Sequence, residues 1–254
     1  MAQKFYVVWE GRERGIFTDW NHCKAQIDKF AGARYKSYPT RSEAEAAFRG
    51  SSEAAVRKAA SAPRKSSGKG PRTHTAAEVV ALPAQTKIFA DGGCEPNPGK
   101  AGSGVAVYRD GQVAELWYGL YNPKGTNNTA ELHALHQALL MAEGEIARKA
   151  TVAIFCDSKY AIQCVTQWAA NWEKKGWKKP GGDIKNLDLI QPAYALYTKL
   201  KKSVQVLHVN GHAGVEGNEL ADRMSIHGIE TREETFARFE TPESLDAVLA
   251  MRKG

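Results

Sequence analysis

The stretch Thr86-Lys87-Ile88-Phe89-Ala90-Asp91-Gly92-Gly93 decides how this chain is read. An apolar, β-favouring run leads into a carboxylate and two glycines, the pattern of a buried strand that stops at a site. Further along, residues 104–108 and 113–120 flank Arg109-Asp110-Gly111-Gln112, a hairpin signal. Residues 127–143 carry helical periodicity through Leu132, Leu135, Ala138 and Leu139. Residues 152–155 read as a short buried strand, 158–168 and 187–200 as helices, 204–209 as a strand and 216–227 as a helix. Three meandering strands followed by strands alternating with helices imply an α/β domain over residues 84–228, a mixed sheet covered by helices.

Before this domain, residues 1–49 read as a compact α+β module. Lys4-Phe5-Tyr6-Val7-Val8-Trp9 is a β-rich run, a glycine turn follows, and Gly15-Ile16-Phe17 begins a second strand. Thr18 or Asp19 caps a helix expected over residues 20–30, and Gly32 stops it. Residues 34–38 form a third strand, and Pro39-Thr40-Arg41-Ser42 starts a helix through Phe48. Residues 50–83 change composition to Ser, Ala, Lys, Arg, Gly and Pro with few large apolar side chains, the signature of a flexible basic linker. Residues 229–254 are an acidic-leaning, weakly amphipathic tail without a functional reading, in which Pro242-Glu243-Ser244 can start a short helix ending near Met251.

Composition narrows the function classes. The 254 residues carry a formal charge of +7 with 43% hydrophobic residues, enough for a core and attractive to a polyanion. A pI near 9.1 points to nucleic acid or an anionic surface. No apolar run reaches the ~18 residues of a membrane span, and Met1-Ala2-Gln3-Lys4-Phe5 lacks a signal peptide's apolar region. Cys23, Cys94, Cys156 and Cys164 show no metal-binding spacing and read as reduced thiols, so a cytoplasmic protein is expected. Nothing resembles a coiled coil, and a monomer is expected.

Four acidic residues, Asp91, Glu131, Asp157 and Asp222, sit where a carboxylate can be aimed at one point. Each has an ordinary alternative: an Asp-Gly turn for Asp91, a helix-dipole partner for Glu131, an N-cap for Asp157 and a solvated helical side chain for Asp222. Together they read differently, because two divalent ions ~3.5–4 Å apart need this many hard oxygen ligands. His212, in Asn210-Gly211-His212-Ala213-Gly214, lies in a glycine-flanked loop before the helix of Asp222 and suits proton transfer.

The segments Asp91-Gly92-Gly93-Cys94, Thr126-Asn127-Asn128-Thr129-Ala130-Glu131, Cys156-Asp157-Ser158 and Gly211-His212-Ala213-Gly214 through Gly217-Asn218-Glu219-Leu220-Ala221-Asp222 resemble, in family order, a type 1 ribonuclease H. Phe5-Tyr6-Val7-Val8, Gly15-Ile16-Phe17, Trp20-Asn21 and Arg34-Tyr35-Lys36 resemble that family's N-terminal hybrid-binding domain, also seen in viroplasmin-type proteins. The resemblance implies a five-stranded mixed sheet flanked by helices, plus a small module with a three-stranded sheet. It implies hydrolysis of the RNA strand of RNA–DNA hybrids, leaving 5′-phosphate and 3′-hydroxyl ends. Two Mg²⁺ ions per site are implied, with Mn²⁺ able to substitute: Asp91 bridges both, Asp222 helps hold the one that activates water, and Glu131 and Asp157 hold the other. His212 then assists proton movement or product departure.

The same resemblance assigns nucleic-acid contacts. Asn97 and Glu131 read the RNA strand, whose 2′-hydroxyl both donates and accepts hydrogen bonds. Asn127 and Asn128 touch the groove and base edges, while Thr126 and Asn186 match a DNA phosphate pocket. Trp168 and Trp172, four residues apart on one helix face, and Trp177 interleave with Lys174, Lys175, Lys178 and Lys179, like the family's basic DNA-gripping protrusion. Pro180-Gly181-Gly182 departs from that protrusion. In the small module Trp20, Tyr35 and Lys36 match hybrid-contacting positions, and Ser37 stands where some members have a further lysine. The partners implied are an RNA–DNA hybrid and, through the small module, double-stranded RNA. Two rivals share the fold: a non-catalytic binder of hybrid or double-stranded RNA, and an integrase-like or junction-cutting nuclease.

Overall fold

This computed structural model describes residues 4–28, 30, 33–45, 48, 70–179, 181–240 and 244–254. The linker expectation over 50–69, the Gly32 stop, the last turn before Phe48, Pro180 and the helix start at Pro242-Glu243 lie outside the described residues. The chain divides into two compact units, residues 1–67 and 68–254.

In the first unit, β1 (Phe5–Glu10) is paired antiparallel by β2 (Gly15–Phe17) and β3 (Arg34–Tyr38), giving the order β2-β1-β3. Helix α1 (Trp20–Ile27) and a helical stretch over residues 41–45, α2, complete it. Val7, Val8, Cys23 and Ala44 are buried together with no exposed area. The side chain of Asp19 caps α1, accepting from the backbone N–H of Asn21 at 2.9 Å and His22 at 3.1 Å. The helix ends at Ile27 rather than near Phe30. Arg12 explains part of this, since its guanidinium donates to the carbonyls of Ala25 at 2.9 Å and Asp28 at 2.7 Å, groups a continuing helix would use itself.

The second unit is built on a mixed sheet. In chain order its elements are β4 (Thr73–His74), α3 (Ala76–Ala81), β5 (Thr86–Glu95), β6 (Gly99–Arg109), β7 (Gln112–Gly125), α4 (Asn127–Ala147), β8 (Val152–Cys156) and α5 (Lys159–Gln163). A π-helical turn (Cys164–Trp168) leads into α6 (Ala169–Lys174), then α7 (Leu187–Leu200), β9 (Val204–Val209), α8 (Glu216–Thr231), β10 (Phe236–Phe239) and α9 (Leu245–Leu249). The strand order is β10-β7-β6-β5-β8-β9-β4. The inner five are the expected sheet, and a short strand joins each edge to make seven. One comes from the tail, where Phe236 stacks on Trp117 with ring centres 5.8 Å apart. The other corrects the linker expectation: Thr73–His74 pairs with β9, and Thr75 with Glu78 forms a capping box on α3. At two and four residues these segments are too short to show sequence periodicity, so only the edge they complete reveals them.

Side chains alternate along β5. Ile88 and Ala90 meet Leu132, Leu135 and Leu139 of α4 on one face, while Phe89 meets Phe155, Leu220 and Met224 on the α8 face. The sheet's glycines admit helix backbones to it. A Cβ on Gly92 would lie 2.3 Å from the Glu131 backbone nitrogen, and one on Gly104 would lie 2.1 Å from the Ala221 carbonyl oxygen. The two glycines after Asp91 thus leave room for helices, Gly92 for α4 and Gly93 for the α8 side chains Ser225 and Ile226. Gly104→Ala is expected to wedge α8 off the sheet and cost about 1–3 kcal/mol. The measurement is the urea midpoint, and an unchanged midpoint would show that α8 does not depend on this close approach.

Candidate metal centre

The parallel ladder between β5 and β8 closes at Ala90 opposite Cys156. Asp91 and Asp157 are each the next residue, so the two carboxylates emerge side by side where the ladder stops. Asp91 still pairs antiparallel with Gly104, which holds its backbone within the sheet. Glu131 comes from the first turns of α4 and Asp222 from α8, brought in by the close helix–sheet approaches at Gly92 and Gly104. All four line one cavity of about 370 Å³, together with Asn127, His212 and residues 252–254.

The surroundings fix Asp157 well. Its backbone carbonyl lies 3.1 Å from Nε2 of His208, a buried residue of β9 whose Nδ1 lies 2.8 Å from the Thr73 hydroxyl. A carbonyl only accepts, so Nε2 carries the proton and Nδ1 accepts from Thr73. Burial pushes the His208 pKa down, in keeping with this neutral tautomer. Asp157 Oδ2 accepts from Asn218 Nδ2 at 3.4 Å, whereas Oδ1 is buried without any hydrogen-bond partner. Asp222, 5% exposed, accepts from the Arg223 guanidinium and from the backbone N–H of Gly254 at 3.1 Å. Ligating atoms of Glu131, Cys156 and Asp157 lie within 4.8 Å of one another.

Asp91 and Glu131 have pKa values pushed well above the usual carboxylate range. Burial is the largest cause for both, followed by the charges of Asp157 and Asp222 on Asp91 and of Asp91 and Asp157 on Glu131. Burial likewise raises the Cys156 thiol, which stays protonated 3.7 Å from Glu131 Oε2. Glu145 shows what a structural buried carboxylate looks like in this fold. It accepts from Arg109 and Arg148, each at 2.8 Å, and from Thr86 at 3.1 Å, and the Arg109 bond leads in lowering its pKa.

The other residues expected at the site divide. His212 is exposed at the cavity with a left-handed backbone, φ 51°. Exposed Asn97 accepts from the Asn127 backbone N–H at 3.3 Å, so the two sit together, with Asn128 exposed beside them. Thr126 spends its hydroxyl capping α4, accepting from the Thr129 N–H at 3.2 Å. Asn186, at φ 57°, donates to the Tyr160 hydroxyl at 3.1 Å. Trp168, Trp172 and Trp177 are half-buried against the core, the first two 5.9 Å apart and the third 5.9 Å from Tyr194. The π-helical turn ending at Trp168 replaces the single regular helix expected there. Lys174, Lys175 and Lys178 are exposed. In the first unit Trp20 and Tyr35 are 41% and 47% exposed with rings 5.9 Å apart, so Trp20 is not a core residue. Lys36 is also exposed and lies over Tyr38, its Nζ 5.4 Å from the ring centre.

Sequence reading missed Thr73, His208, Asn218 and Arg223. Asn218 lay inside a quoted motif, but the others gave no pattern, because their roles arise from strand pairing and helix packing.

Residues 83–230 match the family described as RNase H, and residues 4–48 match the Ribonuclease H1 N-terminal domain. Ribonuclease H1 of Mus musculus is 30% identical, across 91% of this chain and 90% of that protein. Ribonuclease H1 of Homo sapiens is 30% identical across 91% of each. Among solved structures, LC9-RNase H1, a type 1 RNase H with the type 2 active-site motif, aligns at TM-score 0.50 with 25% identity, covering 67% of this chain and 87% of that one.

The fold prefers Asp91 and Glu131 protonated. That preference stabilises the metal-free protein below the ordinary carboxylate pKa near ~4 and is lost as pH rises through their raised native values. Asp91→Asn is therefore expected to raise the Tm of the metal-free protein at neutral pH and to flatten its decline above pH ~4. A Tm that falls, or keeps the same pH slope, would mean that the carboxylates are not repelling one another.

Proposed function

The chain belongs to the ribonuclease H family, and we propose that it hydrolyses the RNA strand of RNA–DNA hybrids at the four-carboxylate cavity, leaving 5′-phosphate and 3′-hydroxyl ends. One observation carries the reading. Glu145 shows that this fold partners a buried carboxylate with cations when its role is structural, whereas buried Asp91 and half-buried Glu131 have raised pKa values and Asp157 Oδ1 has no partner. A cluster left short of positive charge inside a basic chain fits divalent cations presented to a phosphodiester.

The donor set fits two Mg²⁺ ions, with Mn²⁺ substituting, because the free donors are hard oxygens and the nearby Cys156 thiol is held protonated. Asp91, Glu131, Asp157 and Asp222 would together hold the two ions. Bound there, the ions would lower the pKa of the attacking water and stabilise the leaving oxygen. The Asp157 backbone is held by His208 and Thr73, which keeps that carboxylate aimed at the cavity. His212, exposed at its mouth, holds and moves a proton at its imidazole.

Asn97, Asn127 and Asn128, with Glu131, lie where a 2′-hydroxyl can be read by groups that donate and accept. Lys174, Lys175 and Lys178 supply phosphate contacts for the DNA strand, with Thr126 and Asn186 at its phosphate pocket. Trp168, Trp172 and Trp177, half-buried against the core, would add their exposed sides to that surface. In the first unit Trp20, Tyr35 and Lys36 form an exposed aromatic and basic surface for the hybrid, and for double-stranded RNA. Two binding units on one chain make the second contact intramolecular. No helix among the described residues is long and apolar enough to cross a membrane. A cytoplasmic monomer remains the proposed state.

Asp157→Asn keeps the shape and removes one ligand charge. With a labelled hybrid and Mg²⁺, it is expected to lose RNA-strand cutting by about 10³-fold, the rate equivalent of several kcal/mol, while hybrid binding persists. Hybrid binding without any cutting by the unaltered chain would turn the reading to a non-catalytic binder. Deleting residues 1–49 is expected to weaken hybrid binding by about 10²-fold and to reduce repeated cuts per encounter. Equal affinity and equal product lengths would remove the tethering role.

A further inference from the structure

Residues 231–254 extend past the segment that matches the nuclease family, and part of them enters the carboxylate cavity. Gly254 donates its backbone N–H to both oxygens of Asp222, at 3.1 and 3.3 Å. Arg252 pairs with Glu95 of β5 and, at 3.4 Å, with Glu230 of α8, and Lys253 also lines the cavity. The segment is anchored just upstream. Val248 of α9 is fully buried in the apolar cluster on the α8 face. Arg223, 6% exposed, donates to the Leu249 carbonyl at 3.3 Å and also to Asp222. One guanidinium thus ties the anchor to the carboxylate that the next turn of chain covers.

The chemistry of this contact resembles what a cation would supply. A peptide N–H aimed at a carboxylate is a charge-assisted donor, and Lys253 brings a positive side chain to the cavity while Arg252 is held by Glu95 and Glu230 at its edge. The Asp222 oxygens bonded by Gly254 are the ones that the proposed metal centre needs. The approach also selects glycine, since a Cβ on residue 254 would lie 2.7 Å from Asp222 Oδ1.

We propose that residues 252–254 are an autoinhibitory strap, which occupies the Asp222 side of the cavity and must lift before Asp222 takes a divalent cation. This rests on the reading of the cavity as a metal centre. Strap and cation compete for one carboxylate, so the strap raises the Mg²⁺ concentration at which the site fills. The metal-free chain is held closed, and rising Mg²⁺ opens it.

The test is Mg²⁺ binding by calorimetry without substrate, on the full chain, on Gly254→Val, and on a variant lacking residues 252–254. The amide resonance of Gly254 is followed by NMR during the same titration of the full chain. Both variants are expected to half-saturate at about tenfold less Mg²⁺, the size of one charge-assisted hydrogen bond. The Gly254 amide is expected to lose its bonded shift at the calorimetric midpoint, and cutting at saturating Mg²⁺ is expected to be equal in all three. Equal Mg²⁺ affinity in all three, or a Gly254 amide still bonded at saturation, overturns the strap. Asp157→Asn in the same experiment separates the two ideas. If it abolishes Mg²⁺ binding that residues 252–254 leave unaffected, only the strap fails. If Mg²⁺ binding survives it in full, the metal centre fails and the strap with it.

Discussion

Repulsion among clustered carboxylates is the constraint around which the larger unit is arranged. Asp91, Glu131, Asp157 and Asp222 share one cavity, and burial and mutual charge push Asp91 and Glu131 toward the protonated state. Left alone, such a cluster relaxes by moving apart or by admitting cations. Each side chain is therefore tied to an element that cannot move separately. Asp91 sits inside a strand paired to Gly104, Asp157 is braced through its carbonyl by His208, Glu131 rides on a helix pressed against Gly92, and Asp222 on one pressed against Gly104. The glycines and the carboxylates are two parts of one device, because close helix–sheet approach is what brings acids from separate elements together.

The brace on Asp157 reaches further than the central sheet. His208 is bonded on its far side by Thr73, in a strand that precedes the family-matched segment. Residues 73–81 thus contribute an edge strand, a capped helix and a hydrogen bond two steps from Asp157. Their role at the site depends on register, since Thr73 opposite His208 is the pairing that lets hydroxyl and imidazole meet.

Much of this was legible in the sequence because it is local or periodic. The inner strands, the helices of Glu131 and Asp222, the Asp19 cap and the four carboxylates each leave a signal within a few residues. The edge strands left none, since two or four residues of ordinary composition become a strand only when a partner is already in place. His208 and Arg223 gave no signal of their own, and burial in the fold is what sets them against Asp157 and Asp222. Trp168, Trp172 and Trp177 were ambiguous for a different reason. Aromatic residues among lysines suit both a core edge and a nucleic-acid surface, and half-burial against α7 shows that one side of each is spent on packing.

Charge separation reconciles a net charge of +7 with an acidic cavity. The exposed lysines over residues 174–179 do not line the cavity. If those cations reached the carboxylates, they would neutralise them as Arg109 and Arg148 neutralise Glu145, and the cluster would no longer be short of positive charge. Asp222 is the partial exception, since Arg223 and the Gly254 N–H already satisfy part of its charge. Cation entry at Asp222 would compete with Arg223 and the Gly254 N–H, two donors where Asp157 has the single amide of Asn218, which sets the Asp222 side of the cavity apart.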